Sequence, residues 1–434
     1  MSVWEGVGMP AGAPGEWREG HEYPLKGPRG YKEAKSIMQY EYVNGDPNDK
    51  SYSQVQIRAA LTYQLLNHCA CKCMLRETWI NTFTSDEHKF ASSMPGLLER
   101  LKDGGTVVIA EGYVWEIERR GFMQFGNFLP EVVLKNPEVV KQLHEEFAHA
   151  GSDVIEAFTY YGHREMFRLR GREADLEALN RKALSLAREV ADKHGKLMAG
   201  NLSNTPLYEA GDTATHDKIY DMFKEQVLWA VEGGADFIIG ETFSAYGEAA
   251  IALKAIREHG NGLPAVITMT AHVPERTTDD IPIPEACRRL EEAGAAVVGL
   301  NCSRGPDVMM PLIKEIKKIC KVPIAALPVP YRTNMEQKTF FNRVYPDNLD
   351  CVRCSRIDIR RFAEEALAAG VQYVGLCCGN SPNLTRELAE VYGKDPPASH
   401  YRTRTDLSMI FGEAAQNYGS EVARTSQWMT GDGL

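Results

Sequence analysis

Val371-Gln-Tyr-Val-Gly-Leu-Cys-Cys-Gly379 reads as a buried strand, Val371 to Leu376, that ends in two adjacent cysteines and a turn glycine. Adjacent cysteines bridge each other poorly, because consecutive Cα atoms sit only ~3.8 Å apart. Cys377 and Cys378 are therefore metal ligands or small apolar residues. Ala295-Ala-Val-Val-Gly-Leu-Asn-Cys302 repeats the shape: an apolar strand, Gly-Leu, then a polar turn carrying Cys302. Three thiolates from two strand ends would hold a zinc ion and leave its fourth tetrahedral position open, the pattern of a catalytic site.

Working outward, short apolar runs alternate with longer amphipathic ones. The strand candidates are Thr106 to Ala110, Asp153 to Tyr160, Lys196 to Leu202, Asp236 to Thr242, Ala265 to Ala271, Ala295 to Asn301, Pro323 to Leu327 and Val371 to Leu376. Between them, apolar residues near i, i+3, i+4 spacing predict helices over Glu131–Ala150, Glu173–His194, Lys218–Glu232, Tyr246–His259, Glu285–Ala293, Val308–Ile319, Asp358–Ala369 and Leu384–Tyr392. Glycines such as Gly195, Gly294 and Gly370 stop helices just before strands. Eight βα units predict an α/β fold, a (β/α)8 TIM barrel; a doubly wound sheet is the alternative, without a Gly-rich phosphate loop after the first strand to support it. In a barrel, Cys302 at the end of strand six and Cys377 and Cys378 at the end of strand eight share one mouth, where active sites lie.

The domain expectation is an irregular N-terminal extension over 1–93, partly disordered or helical, a barrel over 94–397 and a short C-terminal tail over 398–434. The opening is rich in Gly, Pro and charge. Hydrophobic content of 44% supplies a sizeable core, and a net charge of −10 argues against nucleic acid or an anionic membrane as partner. No run reaches the ~20 apolar residues of a membrane helix, and the N-terminus lacks a secretory pattern. Ten cysteines over 434 residues suit a reducing, cytoplasmic setting better than a disulfide scaffold. Cys69, Cys71 and Cys73 near His68, and Cys351 with Cys354, read as ordinary thiols, with metal or redox roles as the alternative. Cys287 and Cys320 read as buried helix residues.

Gly299-Leu-Asn-Cys302 and Gly375-Leu-Cys-Cys-Gly379 resemble the zinc-dependent homocysteine S-methyltransferases, most closely the betaine-using branch. The resemblance runs from about Leu97 to Ala398 and includes Pro137-Glu-Val-Val-Lys-Gln-Leu-His-Glu-Glu-Phe147, Ala157-Phe-Thr-Tyr-Tyr161 and Asp236-Phe-Ile-Ile-Gly-Glu241. It implies methyl transfer from betaine to the thiol of homocysteine, giving methionine and dimethylglycine, with Cys302, Cys377 and Cys378 on zinc. It also implies catalytic roles for Glu241 and Tyr161 and substrate contacts from Glu111, Tyr161, Glu241, Asn301 and Phe128, with Ser203-Asn-Thr-Pro206 as the loop after strand three.

Departures from the family pattern are read at four positions. The carboxylate of strand one is displaced by one residue to Glu111, which flips a strand side chain to the other face unless the strand has already ended. Thr242 stands where the family has a tyrosine, and Phe128 where it has a tryptophan. Leu376 replaces a glycine and is expected to crowd the backbone beside Cys377. Tyr113, Phe128, Tyr160, Tyr161, Phe243 and Tyr331 are candidate aromatic faces for a cationic donor. His163 and His272 are expected to be hydrogen-bonded structural residues. The alternatives are a sulfonium donor, dimethylsulfoniopropionate or S-methylmethionine, and a non-catalytic relative. The family assembles through a long C-terminal hook; the tail here is short, which leaves homo-oligomerisation open.

Overall fold

Residues 94–124, 129–272, 275–341 and 349–408, with isolated positions up to 429, are described by a computed structural model. The expected extension over 1–93 with its three cysteines, most of the tail, and Phe128 lie outside the described residues.

Eight strands pair in chain order, all parallel, and close into a barrel: β1 (Val107–Ala110), β2 (Val154–Glu156), β3 (Leu197–Ser203), β4 (Phe237–Phe243), β5 (Ala265–Met269), β6 (Val297–Asn301), β7 (Ile324–Leu327) and β8 (Tyr373–Leu376). β1 closes on β8 with Ile109 opposite Gly375. Both faces of such strands are buried, so each reads as a continuous apolar run.

Side chains alternate. Val107, Ile109, Val154, Ala199, Ile239, Val297 and Tyr373 fill the barrel interior. Val108, Ala110, Ile155, Met198, Ile238, Val298, Val374 and Leu376 face the surrounding helices. Below, the short helix α1 (Leu97–Leu101) adds Leu97 and Leu101 to the interior, and Gln372 Nε2 donates to Leu101 O at 2.7 Å.

Three sequence readings change. β2 ends at Glu156, four residues before Tyr160, because the chain beyond it turns away toward a left-handed residue at Tyr161, φ 57°. A helix not read from the sequence, α2 (Tyr113–Arg119), begins directly after Gly112. The single helix expected over Glu131–Ala150 is two, α3 (Val132–Lys135) and α4 (Pro137–His149). Pro137 excludes the α conformation from Asn136, which sits at φ −140°, ψ 62°. The outer layer continues with α5 (Arg164–Leu169), α6 (Leu176–His194), α7 (Thr213–Glu232), α8 (Tyr246–His259), α9 (Ile283–Glu292), α10 (Pro306–Ile319), α11 (Arg356–Ala368) and α12 (Pro382–Val391).

Candidate active site at the barrel mouth

Inward alternation continues past the apolar layers. Two residues beyond Ile109, Val154, Ala199 and Ile239 stand Glu111, Glu156, Asn201 and Glu241; Asn301 and Cys377 lie four residues beyond Val297 and Tyr373 in the same phase. These form a polar layer on top of the core. Glu111, Glu156 and Glu241 are at most 5% exposed. Asn201 Nδ2 donates to Glu156 and, at 2.6 Å, to Glu241 Oε1. Asn301 Nδ2 donates to Glu241 Oε2 at 2.8 Å and lies 3.5 Å from Glu111 Oε2. The amide of Asn301 is oriented by Thr242 N, which donates to Asn301 Oδ1 at 2.9 Å.

Burial, then mutual repulsion, raises Glu111 and Glu156 well above the usual carboxylate range, and burial raises Glu241. No lysine or arginine among the described residues offsets the three. Three buried carboxylates without a cation are costly, and an ammonium group arriving with a ligand would relieve that cost.

The concern that Glu111 faces outward is resolved by local geometry. β1 has ended at Ala110 in inward-outward phase, so residue 111 points inward. Gly112 then turns the chain with φ 80°, where a Cβ would stand 2.4 Å from Cys377 O. Only glycine fits both the conformation and the space. Leu376 does not crowd the cysteines. It faces the helical layer on the opposite side of the strand, and the close approach is made by Gly375, whose added Cβ would meet Ile109 O at 2.4 Å.

Cys302, Cys377 and Cys378 converge. Their sulfurs lie within 4.8 Å of one another, with Cys302–Cys378 at 3.6 Å and Cys377–Cys378 at 3.9 Å. Three sulfurs each ~2.3 Å from one tetrahedral zinc would lie ~3.8 Å apart, so the separations and the soft donor set fit zinc. Both other thiols donate to Cys378 and, with the Trp115 side chain, hold it well below the usual thiol range. A second group, Glu111, Glu241 and Cys377, also lies within 4.8 Å. It shares Cys377 and is a harder donor set, less suited to zinc than three thiolates.

Two adjoining cavities meet at the thiols. The inner one, a narrow space, is lined by Tyr113, Glu156, Asn201, Glu241 and Cys377. The outer one is lined by the aromatic residues Trp115, Tyr160, Tyr161, Phe340 and Phe341 and by the polar residues Asn204, Thr270, His272 and Ser303. Val114, Tyr160, Thr242 and Cys378 border both. Tyr161, Thr242, Cys302 and Ser303 all have φ between 57° and 65°. Left-handed backbone costs a non-glycine residue about 1–2 kcal/mol, and its concentration here fits a functional mouth.

Of the aromatic candidates, Tyr160 and Tyr161 face the outer cavity, their ring centroids 4.4 Å apart. Phe243 does not: it is fully buried against Phe223. Tyr113 is packed edge-on against His144, Phe147 and Phe158, and Tyr331 stacks under Phe340. Trp115, Phe340 and Phe341 were not read from the sequence. Trp115 needed the unforeseen α2, and the phenylalanines lie in the long loop after β7, where Phe340 N donates to Ser303 O at 2.8 Å. Glu156 and Asn201 were also missed, although period-two counting from Val154 and Ala199 marks both. His163 is buried edge-on to Tyr161, and burial pushes it down to about 4. His272 Nδ1 lies 3.2 Å from Ser303 Oγ. Cys287 and Cys320 are buried as expected, Cys354 is buried and Cys351 exposed.

The homocysteine S-methyltransferase family pattern matches residues 103–392. Betaine–homocysteine S-methyltransferase 1 of Mus musculus is 34% identical over 319 residues, covering 70% of this chain and 77% of its own. S-methylmethionine–homocysteine S-methyltransferase of Pongo abelii is 34% identical over 316 residues, covering 70% and 84%. Among solved structures, the homocysteine methyltransferase MmuM of Escherichia coli in its metallated form superposes with a TM-score of 0.54 at 18% identity, covering 66% of this chain and 96% of that one, a likeness of fold.

Proposed function

The chain belongs to the homocysteine S-methyltransferase family and is a methyltransferase, and from that premise we propose that it transfers a methyl group from betaine to homocysteine in a zinc-dependent reaction, giving methionine and dimethylglycine. The observation that carries this reading is the placement of three converging thiols between a carboxylate-lined inner cavity and an aromatic-lined outer one.

Cys302, Cys377 and Cys378 would hold the zinc ion, which lets an added thiol stay deprotonated and nucleophilic at neutral pH. Glu111 and Glu241 accept the α-ammonium group of homocysteine, Asn301 keeps Glu241 turned toward it, and Glu156 lies beneath through Asn201. Tyr160, Tyr161 and Trp115 present ring faces to the onium donor, each good contact contributing about 0.5–2 kcal/mol. These rings also exclude water from the transfer path. As the new C–S bond forms, the C–N bond of the donor breaks and its electron pair leaves with dimethylglycine, so no general base is required. Burial raises both tyrosines, which stay neutral phenols. Among the described residues no helix is long and apolar enough to cross a membrane, and a reducing cytoplasm suits the free thiols.

A sulfonium donor is the second reading. Thr242 puts a hydroxyl where the resemblance places a tyrosine ring, and the betaine-named and S-methylmethionine-named relatives are both 34% identical to this chain. Methionine formation by zinc-loaded protein with homocysteine and betaine, in parallel with S-methylmethionine or dimethylsulfoniopropionate, tests both. Turnover confined to the sulfonium would move the donor; the absence of turnover with either would reject the reading.

A further inference from the structure

Besides its aromatic residues the outer cavity is lined by Thr270, His272 and Ser303, with the His272 ring 6.5 Å from that of Phe341. Thr270 is 2% exposed, and its hydroxyl has no hydrogen-bond partner. An unpaired buried hydroxyl is a cost that a ligand atom can remove. His272 is exposed at the cavity edge. With Nδ1 accepting from the Ser303 hydroxyl, the neutral ring carries its hydrogen on Nε2 and is a donor.

Behind Thr270 and His272 lies a fully buried arginine. Arg304 Nε donates to Ala271 O at 2.9 Å and Arg304 Nη2 to His272 O at 3.3 Å. Glu275 is shared between Arg304, at 3.4 Å, and Lys338, at 2.7 Å. Two cations share this one carboxylate behind Thr270 and His272, and their charge favours an anionic group of the donor at this place.

We propose that Thr270 and His272, backed by Arg304, form the subsite for a carboxylate on the methyl donor, so that this enzyme selects zwitterionic oniums over oniums that lack the carboxylate. This rests on the reading of the outer cavity as the donor site. The onium end faces Trp115, Tyr160 and Tyr161 beside the thiols, and the carboxylate reaches the Thr270 hydroxyl and His272 Nε2.

The test uses the zinc-loaded full chain with methionine in place of homocysteine, so that no transfer occurs. Betaine and tetramethylammonium are each titrated calorimetrically into wild type, H272A and T270V. Wild type is expected to bind betaine at least ~10-fold more tightly than tetramethylammonium, the ratio that one good hydrogen bond to a charged group produces. Each substitution is expected to reduce that ratio by ~3-fold or more while leaving tetramethylammonium affinity unchanged. Equal affinities in wild type, or an unaltered ratio in both variants, overturns the subsite. Turnover assays with homocysteine on the same preparations are read separately. A preserved binding ratio without methionine formation from betaine would remove the proposed donor and leave the subsite standing.

Discussion

Cys378 occupies the centre of the thiol group, accepting from Cys302 at 3.6 Å and Cys377 at 3.9 Å. Replacing any one of the three leaves two sulfurs, too few to hold zinc with an open position. C378A is expected to lose stoichiometric zinc, measured by elemental analysis, and all methyl transfer with it. Retention of both would reject the metal assignment. Glu241 separates substrate binding from metal binding. A hydrogen bond to a charged group contributes about 1.5–3 kcal/mol, so E241Q is expected to raise the homocysteine KM by ~10- to 100-fold at unchanged zinc content. An E241Q enzyme with wild-type KM would move the ammonium contact elsewhere in the inner cavity.

At the scale of elements, the turn from β1 into α2 governs how closely strand eight can approach. Gly112 lies at φ 80° with Cys377 O in the space of a Cβ. G112A is expected to destabilise the fold by about 1–3 kcal/mol in denaturant melts and to lower zinc occupancy, because the main chain of Cys377 must shift. α4 carries a different liability. His144 is fully buried edge-on to Tyr113, and both its ring nitrogens lack a partner. Burial pushes it down to about 3 from an ordinary 6.5. Below pH 6.5 the unfolded chain takes up this proton and the folded chain does not. Stability from this group is therefore complete above pH 6.5 and declines as pH falls toward 3, by up to about 1.4 kcal/mol per pH unit. H144L is expected to flatten the acid side of the stability profile by up to one proton's slope; an unchanged profile would mean that His144 is hydrated in the native state.

For the molecule as a whole, the proposed zinc ligands come from β6 and β8, which are separated by β7 in the closed barrel. An ion bound there ties together strand ends more than 70 residues apart in sequence. Ligand that binds only the folded state adds about 2.7 kcal/mol at a free concentration 100 times Kd. Zinc-loaded protein is therefore expected to melt several degrees above the chelator-treated protein, and zinc to restore the difference. Coincident melting curves would show that the thiols hold no ion in the native barrel. The same closure brings the buried carboxyl groups of Glu156 and Glu241 and the side chains of Thr270, His272 and Ser303 to one mouth.

β6 and β8 were legible because each is an apolar run ended by a glycine-leucine pair and a cysteine, and their pairing across a barrel followed from eight alternating units. The sequence alone determined the barrel, the thiol group and Glu241, since strand periodicity and strand ends are local properties of the chain. Glu156 and Asn201 were within reach of the same period-two count, had β2 been ended at residue 156. Tertiary structure alone decided the rest. The phase of Glu111 depends on where β1 stops, and the outward turn of Leu376 depends on which face of β8 meets the helices. Trp115, Phe340, Thr270 and His272 come from a helix, a loop and strand ends far apart in sequence, and share a cavity only because barrel closure sets their elements around one axis. Contacts made by closure leave no spacing in the chain, because the distance between strand ends around a barrel is fixed by pairing geometry and not by the residues that separate them.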